Sequence, residues 1–193
     1  MGKIILGSSS PRRADILEKQ KLDFEIIPSS YVEPHDQTDF SYAYVEDLAY
    51  NKALDVAKKI SEEALVIGAD TIVVLDNKVL GKPKNENDAK NMLKMLSGKS
   101  HKVLTGVCIK STIDDEFVTT SSFVCCSKVY FKKLSQDEIE EYVLTKEPMD
   151  KAGAYAIQGL AGKFVEKING SFHNIVGFPV SQIYNVLKEE NLI

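Results

Sequence analysis

The sequence predicts an α/β protein, a mixed, twisted β-sheet with helices on its faces. Two observations carry that prediction. The chain opens on a short apolar run, a helix and a second apolar run, the order of a parallel βαβ unit. Residues 101–112 and 116–134 are long β-like segments flanking a turn at Asp114-Asp115, which predicts an antiparallel hairpin later in the same sheet. At 193 residues and 44% hydrophobic content the chain can bury a full core as one domain, residues 1–193, without repeats or low-complexity linkers.

Each element has its own signal. Residues 3–13, KIILGSSSPRR, pass from an apolar strand through small hydroxyl residues into a helix continuing as ADILEKQ. Ser10 stands at the N-cap and Pro11 in the first turn, where its missing N–H costs nothing. A strand from Phe24 to Ile27 leads into a polar loop in which Pro28 and Pro34 resist regular structure. Val45, Leu48, Ala49, Ala53, Val56, Ala57 and Ile60 recur at helical spacing and predict a helix from Tyr42 to Ile60. LVIGADTIVVL, residues 65–75, reads as a strand that Asp76-Asn77 turns into KVLGKP. A helix from Asn87 to Leu96 opens at Asn85 or Glu86 and closes at Gly98, and Ser135 with Glu138 forms a capping box for a helix ending near Thr145. Residues 153–177, punctuated by glycine, read as β-like, and a helix from Pro179 to Glu189 closes the chain.

The whole-chain numbers exclude several classes. A net charge of −4 argues against nucleic-acid binding through bulk electrostatics. No apolar run approaches the ~20 residues that span a bilayer, and the first residues lead into structure rather than a cleavable signal, so a soluble, cytoplasmic protein without a membrane partner is expected. Cys108, Cys125 and Cys126 have no C-x-x-C spacing and read as small core residues, while His35, His101 and His173 are isolated, so transition-metal chemistry has no support.

What remains points to an anion site. Arg12 and Arg13 fall in the first turn of a helix, where cations oppose the dipole unless an anion such as phosphate sits between them. Asp70 interrupts an apolar strand, where a carboxylate is costly unless it is paired, binds a metal or opens on a cleft. Lys52 projects from the apolar face of its helix and must reach something, and Lys82 is displayed on a loop constrained by Gly81 and Pro83. Read singly, each is equally an ordinary solvated or snorkelling residue, and so is Glu33. Converging, Arg12, Arg13, Lys52 and Lys82 would hold a polyphosphate, with Glu33 and Asp70 as ligands for Mg²⁺, which binds through one or two carboxylates plus substrate phosphates. Neither G-x-x-x-x-G-K-[ST] nor G-x-G-x-x-G is present, which disfavours P-loop NTPases, kinases and Rossmann dehydrogenases.

SSSPRR, GADTIVVLDNKVLGKP, LSGKSHKVLTGV, EPMDKAGAYAIQGLAGKFVEKINGS and VGFP occur in this order across essentially the whole chain. Together they resemble the Maf family of nucleoside triphosphate pyrophosphatases. The resemblance implies a mixed-sheet fold with two lobes around a central cleft, similar to inosine triphosphate pyrophosphatases, and often a homodimer. It implies hydrolysis of a nucleoside triphosphate to monophosphate and pyrophosphate with Mg²⁺, Mn²⁺ or Co²⁺. Its functional positions carry over to Ser8, Arg12, Arg13, Glu33, Lys52, Asp70, Lys82 and Gln158, with Asp70, Glu33 and Lys52 in the catalytic role. SPRR, A-D-T and A-Y-x-I-Q-G resemble the group acting on dTTP and UTP, not the group acting on 7-methylguanosine triphosphate. In that group Thr71 and Gln158 would read the pyrimidine edge, although Thr71 is equally a plain β-former. Phe172 and Phe178 depart from the common tyrosine and leucine. The family is also associated with inhibition of septum formation, so a nucleotide-binding regulator with incidental catalysis stands as the alternative function.

Overall fold

A computed structural model describes residues 3–34, 39–113 and 116–189. The predicted turn at Asp114-Asp115, and His35, lie outside the described residues. β1 (Lys3–Leu6) runs into α1 (Pro11–Glu18), followed by β2 (Phe24–Ile26) and α2 (Tyr42–Ala57). β3 (Ala64–Leu75) and β4 (Lys78–Leu80) form a hairpin, α3 (Glu86–Leu96) follows, and β5 (Ser100–Ile113) and β6 (Glu116–Phe131) are the long antiparallel pair. α4 (Gln136–Leu144), β7 (Val165–Asn169), α5 (Phe172–Val176) and α6 (Val180–Glu189) complete the chain. The strands join one seven-stranded sheet in the order β2-β1-β3-β5-β6-β7, with β4 on β3. β1 is parallel to β2 and β3, and the other pairings are antiparallel, so the sheet is mixed as predicted.

Several local signals act as the sequence suggests. Ser135 and Glu138 close a reciprocal capping box, and Asn85 caps α3. Asp76 and Asn77 take positive φ of 48° and 64° in the β3–β4 turn, where Asn and Asp tolerate the left-handed region. Others differ. Ser10 occupies the N-cap position of α1 in extended backbone, yet its hydroxyl makes no cap bond. α2 ends at Ala57 rather than Ile60. The β-like reading of residues 153–177 holds only for β7. Most of the rest is 3-10 helix at Ala152–Ala154 and Leu160–Phe164 and the short α5, because Gly153, Gly170 and Gly177 adopt φ of 66°, 122° and 106° and turn the chain out of extended backbone. Only Cys108 of the three thiols is a core residue; Cys125 is half-buried and Cys126 exposed.

β3 organises the interior because it is covered differently on its two edges. β5 pairs one edge from Ala64 through Val74. On the other edge β1 pairs Ala64 to Ile67 and β4 pairs Val73 to Leu75, so between Gly68 and Ile72 that edge has no strand partner among the described residues. Side chains alternate across the strand. On one face, α2 packs over Val66, Ile72, Val74, Leu104 and Cys108, with Ile27, Tyr31 and Phe40 beside it. On the other, α1 and α6 cover Ile67, Ala69 and Val107 to one side, while α3 and α4 cover Val73, Leu75 and Val103 to the other. Thr71 and Thr105, paired across the two strands, mark the seam between these two apolar clusters. No helix among the described residues is long and apolar enough to cross a membrane.

His101 is buried in the cluster under α3 and α4. Its Nε2 lies 2.8 Å from Tyr155 Oη, and its ring meets Phe131 and Tyr155 edge-on at 5.0 and 5.3 Å. Burial pushes its pKa down to about 4. The folded protein therefore keeps His101 neutral while the unfolded chain takes up a proton below the ordinary value of 6.5. The contribution is complete above pH 6.5 and is lost as pH falls to about 4. Urea unfolding at pH 7.5 and 4.5 should show a loss of stability smaller by roughly 2–3 kcal/mol in His101→Gln than in wild type. Equal losses in the two proteins would remove His101 as the source.

Candidate active site

The unpartnered stretch of β3 carries Asp70 on one face and Thr71 on the other, and the residues singled out from the sequence gather around these two. On the Asp70 face, α2 lies unusually close to the sheet. A Cβ on Gly68 would sit 2.5 Å from the Ala53 amide nitrogen, and one on Gly106 would sit 2.3 Å from the Val45 carbonyl oxygen. Only glycine at both positions lets the helix backbone reach that depth. Lys52, one residue before Ala53, then extends along the sheet to Asp70. Its Nζ donates to Glu33 Oε1 at 2.6 Å and to Asp70 Oδ1. Its side chain is 14% exposed, that of Asp70 10% and that of Glu33 37%, so the cluster opens toward solvent on the Glu33 side.

Glu33 is held there by a second residue of α2 that the sequence gave no reason to single out. Asp55 Oδ2 accepts from Ser29 Oγ at 2.8 Å, the Ser30 amide at 2.7 Å and Lys59 Nζ at 2.8 Å. Burial raises the Asp55 carboxyl, but these three contacts together with the Ser30 hydroxyl, 3.1 Å from Asp55 Oδ1, outweigh it and hold the group far below its usual range. In sequence, Asp55 and Lys59 look like an ordinary i,i+4 surface pair; the clue was two serines in a loop that must come back to the helix.

The two site carboxylates differ electrostatically. Burial raises Asp70, with Glu33 adding to the rise and Lys52 and Arg13 opposing it. Burial also pushes Glu33 up, but the charge and hydrogen bond of Lys52, with Lys82 and Arg13 behind them, bring it below its ordinary value. Asp70 is thus the stronger proton acceptor of the pair.

On the Thr71 face, Arg13 turns inward from α1. Nε donates to the Gly177 carbonyl at 2.8 Å, Nη1 to Ser8 Oγ at 2.9 Å and Nη2 to Thr71 Oγ1 at 3.2 Å. Burial lowers its pKa, with Asp70 opposing, and a guanidinium remains charged regardless. Arg12 is half-buried and shares none of these hydrogen bonds, although its charge is felt at Arg13 and Asp150. Lys82 is exposed beside Gly81, whose carbonyl accepts from the Gly153 amide at 3.0 Å, and its charge is felt at Glu33. Gln158 is exposed in the turn after Ile157, a residue that packs on both apolar clusters, and no hydrogen bond joins it to Thr71. The structure thus brings Glu33, Lys52 and Asp70 into one cluster and Ser8, Arg13 and Thr71 into another across the same strand. Arg12 and Lys82 act on these clusters only through their charge, felt at Arg13 and Glu33, and Gln158 makes no hydrogen bond to either.

No group of three or more His, Cys, Asp or Glu residues suited to a metal ion occurs among the described residues. Glu33 and Asp70 offer two carboxylates meeting at one point, a donor set that fits Mg²⁺ arriving with substrate phosphates and not an all-protein cage.

A mixed α/β sheet with paired carboxylates, a lysine and a buried arginine at a strand edge carries the donor and acceptor set that a polyphosphate and its cation require. The family model described as Maf-like protein matches residues 3–190, and the chain belongs to that family. It is 47% identical over 193 residues to the dTTP/UTP pyrophosphatase of Clostridium perfringens strain 13, covering 98% of each chain. It is 50% identical over 188 residues to the dTTP/UTP pyrophosphatase of Thermoanaerobacter sp. strain X514, covering 97% of this chain and 96% of the relative. Among solved structures, the Staphylococcus aureus Ham1 protein aligns with a TM-score of 0.51 at 12% identity, covering 97% of this chain and 99% of that one. A HAM1 protein from Coxiella burnetii aligns with the same score at 17% identity, covering 98% and 100%. These two show that the fold is shared.

Lys52→Met would leave Glu33 and Asp70 facing each other without their shared cation. It should lower stability by roughly 2–4 kcal/mol, the cost of breaking a largely buried pair discounted for the exposure of Glu33. Adding Asp70→Asn should restore part of that loss. Losses that simply add in urea unfolding would show that the two residues do not interact.

Proposed function

We propose that this protein hydrolyses dTTP and UTP to the monophosphate and pyrophosphate by attack of water on the α-phosphorus. The observation carrying this reading is Lys52 held between Glu33 and Asp70 where β3 loses its strand partner, with Arg13 across the same strand. The dTTP/UTP pyrophosphatase relatives supply the substrate class. Asp70, the more basic carboxylate, takes the water's proton on the oxygen that Lys52 does not engage. As the new P–O bond forms, the bond from the α-phosphorus to its bridging oxygen breaks and pyrophosphate leaves. Arg13 has five N–H donors and spends three on the protein, leaving one on each terminal nitrogen for phosphate oxygens. Arg12 and Lys82 add charge where the β- and γ-phosphates extend. A divalent cation, Mg²⁺ or alternatively Mn²⁺ or Co²⁺, would be held by Glu33 and Asp70 and would supply charge that stabilises the leaving group.

Base recognition falls to Gln158 more than to Thr71. Thr105 donates its hydroxyl proton to the Asn174 carbonyl, so the Thr71 hydroxyl is the donor in the Thr71–Thr105 bond and has no proton left for a base. Gln158 keeps both amide groups free for a pyrimidine edge. Nothing in this arrangement calls for a septum regulator with incidental catalysis.

A nucleotide panel with pyrophosphate detection tests the reading. dTTP and UTP should be hydrolysed at least ~10²-fold more efficiently than ATP and GTP, and Gln158→Ala should erode that preference mainly by lowering pyrimidine activity. Release of orthophosphate, or tight binding without turnover, would overturn the assignment. Asp70→Asn should lower turnover by ~10²–10⁴ in a folded protein; wild-type turnover would remove Asp70 from the mechanism.

A further inference from the structure

Three buried polar side chains have no part in the chemistry above: Thr105, Asn174 and Ser127, at 0%, 0% and 1% exposure. They form one connected path that ends on Arg13. Asn174 Nδ2 donates to the Val103 carbonyl at 3.0 Å and to Ser127 Oγ at 2.9 Å, while Ser127 Oγ donates to the Ser171 carbonyl at 3.1 Å and accepts from the Ser171 amide at 3.0 Å. The short helix α5 is thereby pinned to β5 and β6 at its first turn. Two backbone carbonyls at the C-terminal end of α5 then receive bonds, one from β5 and one from α1. Asn174 O accepts from Thr105 Oγ1 at 2.9 Å, and Gly177 O accepts directly from Arg13 Nε at 2.8 Å.

Proton counting fixes the direction of the rest. Thr105 has one hydroxyl proton and gives it to Asn174 O, so it accepts from Thr71, and Thr71 in turn accepts from Arg13 Nη2. The three bonds from Arg13 through Thr71 and Thr105 to the Asn174 carbonyl all run away from the guanidinium, the order in which a cation polarises successive hydroxyls cooperatively. Gly177 closes over the pair; a Cβ there would lie 2.9 Å from Thr71 Oγ1.

We propose that Thr105, held by Asn174, is a positioning residue that fixes the orientation of the Arg13 guanidinium and so aims its two uncommitted N–H groups at the phosphates of the substrate. The inference rests on the hydrolytic reading above and adds to it which residues set the geometry of its buried arginine. Thr105 never meets the substrate. It acts through Thr71, whose hydroxyl would otherwise be free to rotate and release Nη2.

The test is a mutant cycle on purified protein with pyrophosphate release from dTTP, wild-type turnover serving as the control for the hydrolytic reading itself. Thr105→Val, which keeps the shape and removes the hydroxyl, is expected to lower kcat/KM about 10-fold, and Thr105→Ser to stay within about 2-fold of wild type. In an Arg13→Ala background Thr105→Val is expected to change kcat/KM by less than about 2-fold, because the group it orients is gone. Wild-type kcat/KM in folded Thr105→Val overturns the proposal, and so does an undiminished loss in the Arg13→Ala background, which would mark Thr105 as structural. Should the valine chain not fold, Thr105→Ala takes its place in the same cycle. A measurement on the unmutated protein stands beside both: the Arg13 Nε–H signal, assigned by its loss in Arg13→Lys, should exchange with solvent more slowly than that of Arg12, and equal rates overturn the proposal.

Discussion

Helix α2 rests on β3 and β5 backbone against backbone, with the Val45 carbonyl over Gly106 and the Ala49 carbonyl and Ala53 amide over Gly68. This contact sets the depth of everything on that face. A helix held off by ordinary side chains would stand further from the sheet, and Lys52 would then end short of Asp70 or leave Glu33 behind. Because the same helix also carries Asp55, which gathers Ser29 and Ser30, the loop bearing Glu33 inherits the position of α2. Two glycines on neighbouring strands therefore govern where both carboxylates lie, though neither glycine touches them.

The opposite face is governed by burial of charge. A guanidinium as enclosed as Arg13 needs partners for its N–H groups, and the protein supplies three from Ser8, Thr71 and Gly177. Thr71 and Thr105 fall at the seam between two apolar clusters, where the sheet would otherwise bury valine or isoleucine. The polar seam is what the expected division into two lobes amounts to in this chain: one continuous sheet, with separate cores to either side of a line of hydroxyls.

The sequence was legible where a residue violated its surroundings. Asp70 in an apolar strand and Lys52 on an apolar helix face each broke a pattern, and the structure places them in contact. Arg13 was legible as a charge but not as a buried one, because an eight-residue helix beginning with proline and two arginines looks the same whether its second arginine faces in or out. Thr105, Asn174 and Asp55 broke no pattern. A threonine suits a strand, an asparagine suits a segment rich in glycine, and an aspartate four residues before a lysine suits a helix surface. Residues 153–177 misled for a different reason: alternation of apolar and small residues resembles a strand, while backbone sign at Gly153, Gly170 and Gly177 is invisible in the sequence.

The anchoring of the Glu33 loop by Asp55 has a consequence for how the site comes into being. Glu33, Lys52 and Asp70 derive from a loop, a helix and a strand, and none of the three is preorganised locally. Residues 27–34 have no regular structure of their own, and the loop's serines find Asp55 only once α2 has formed. Lys52 meets Asp70 only once α2 has docked on β3. Hydrolytic competence is thus a property of the finished fold, and during refolding it should emerge in step with burial of the α2–β3 contact rather than with helix content.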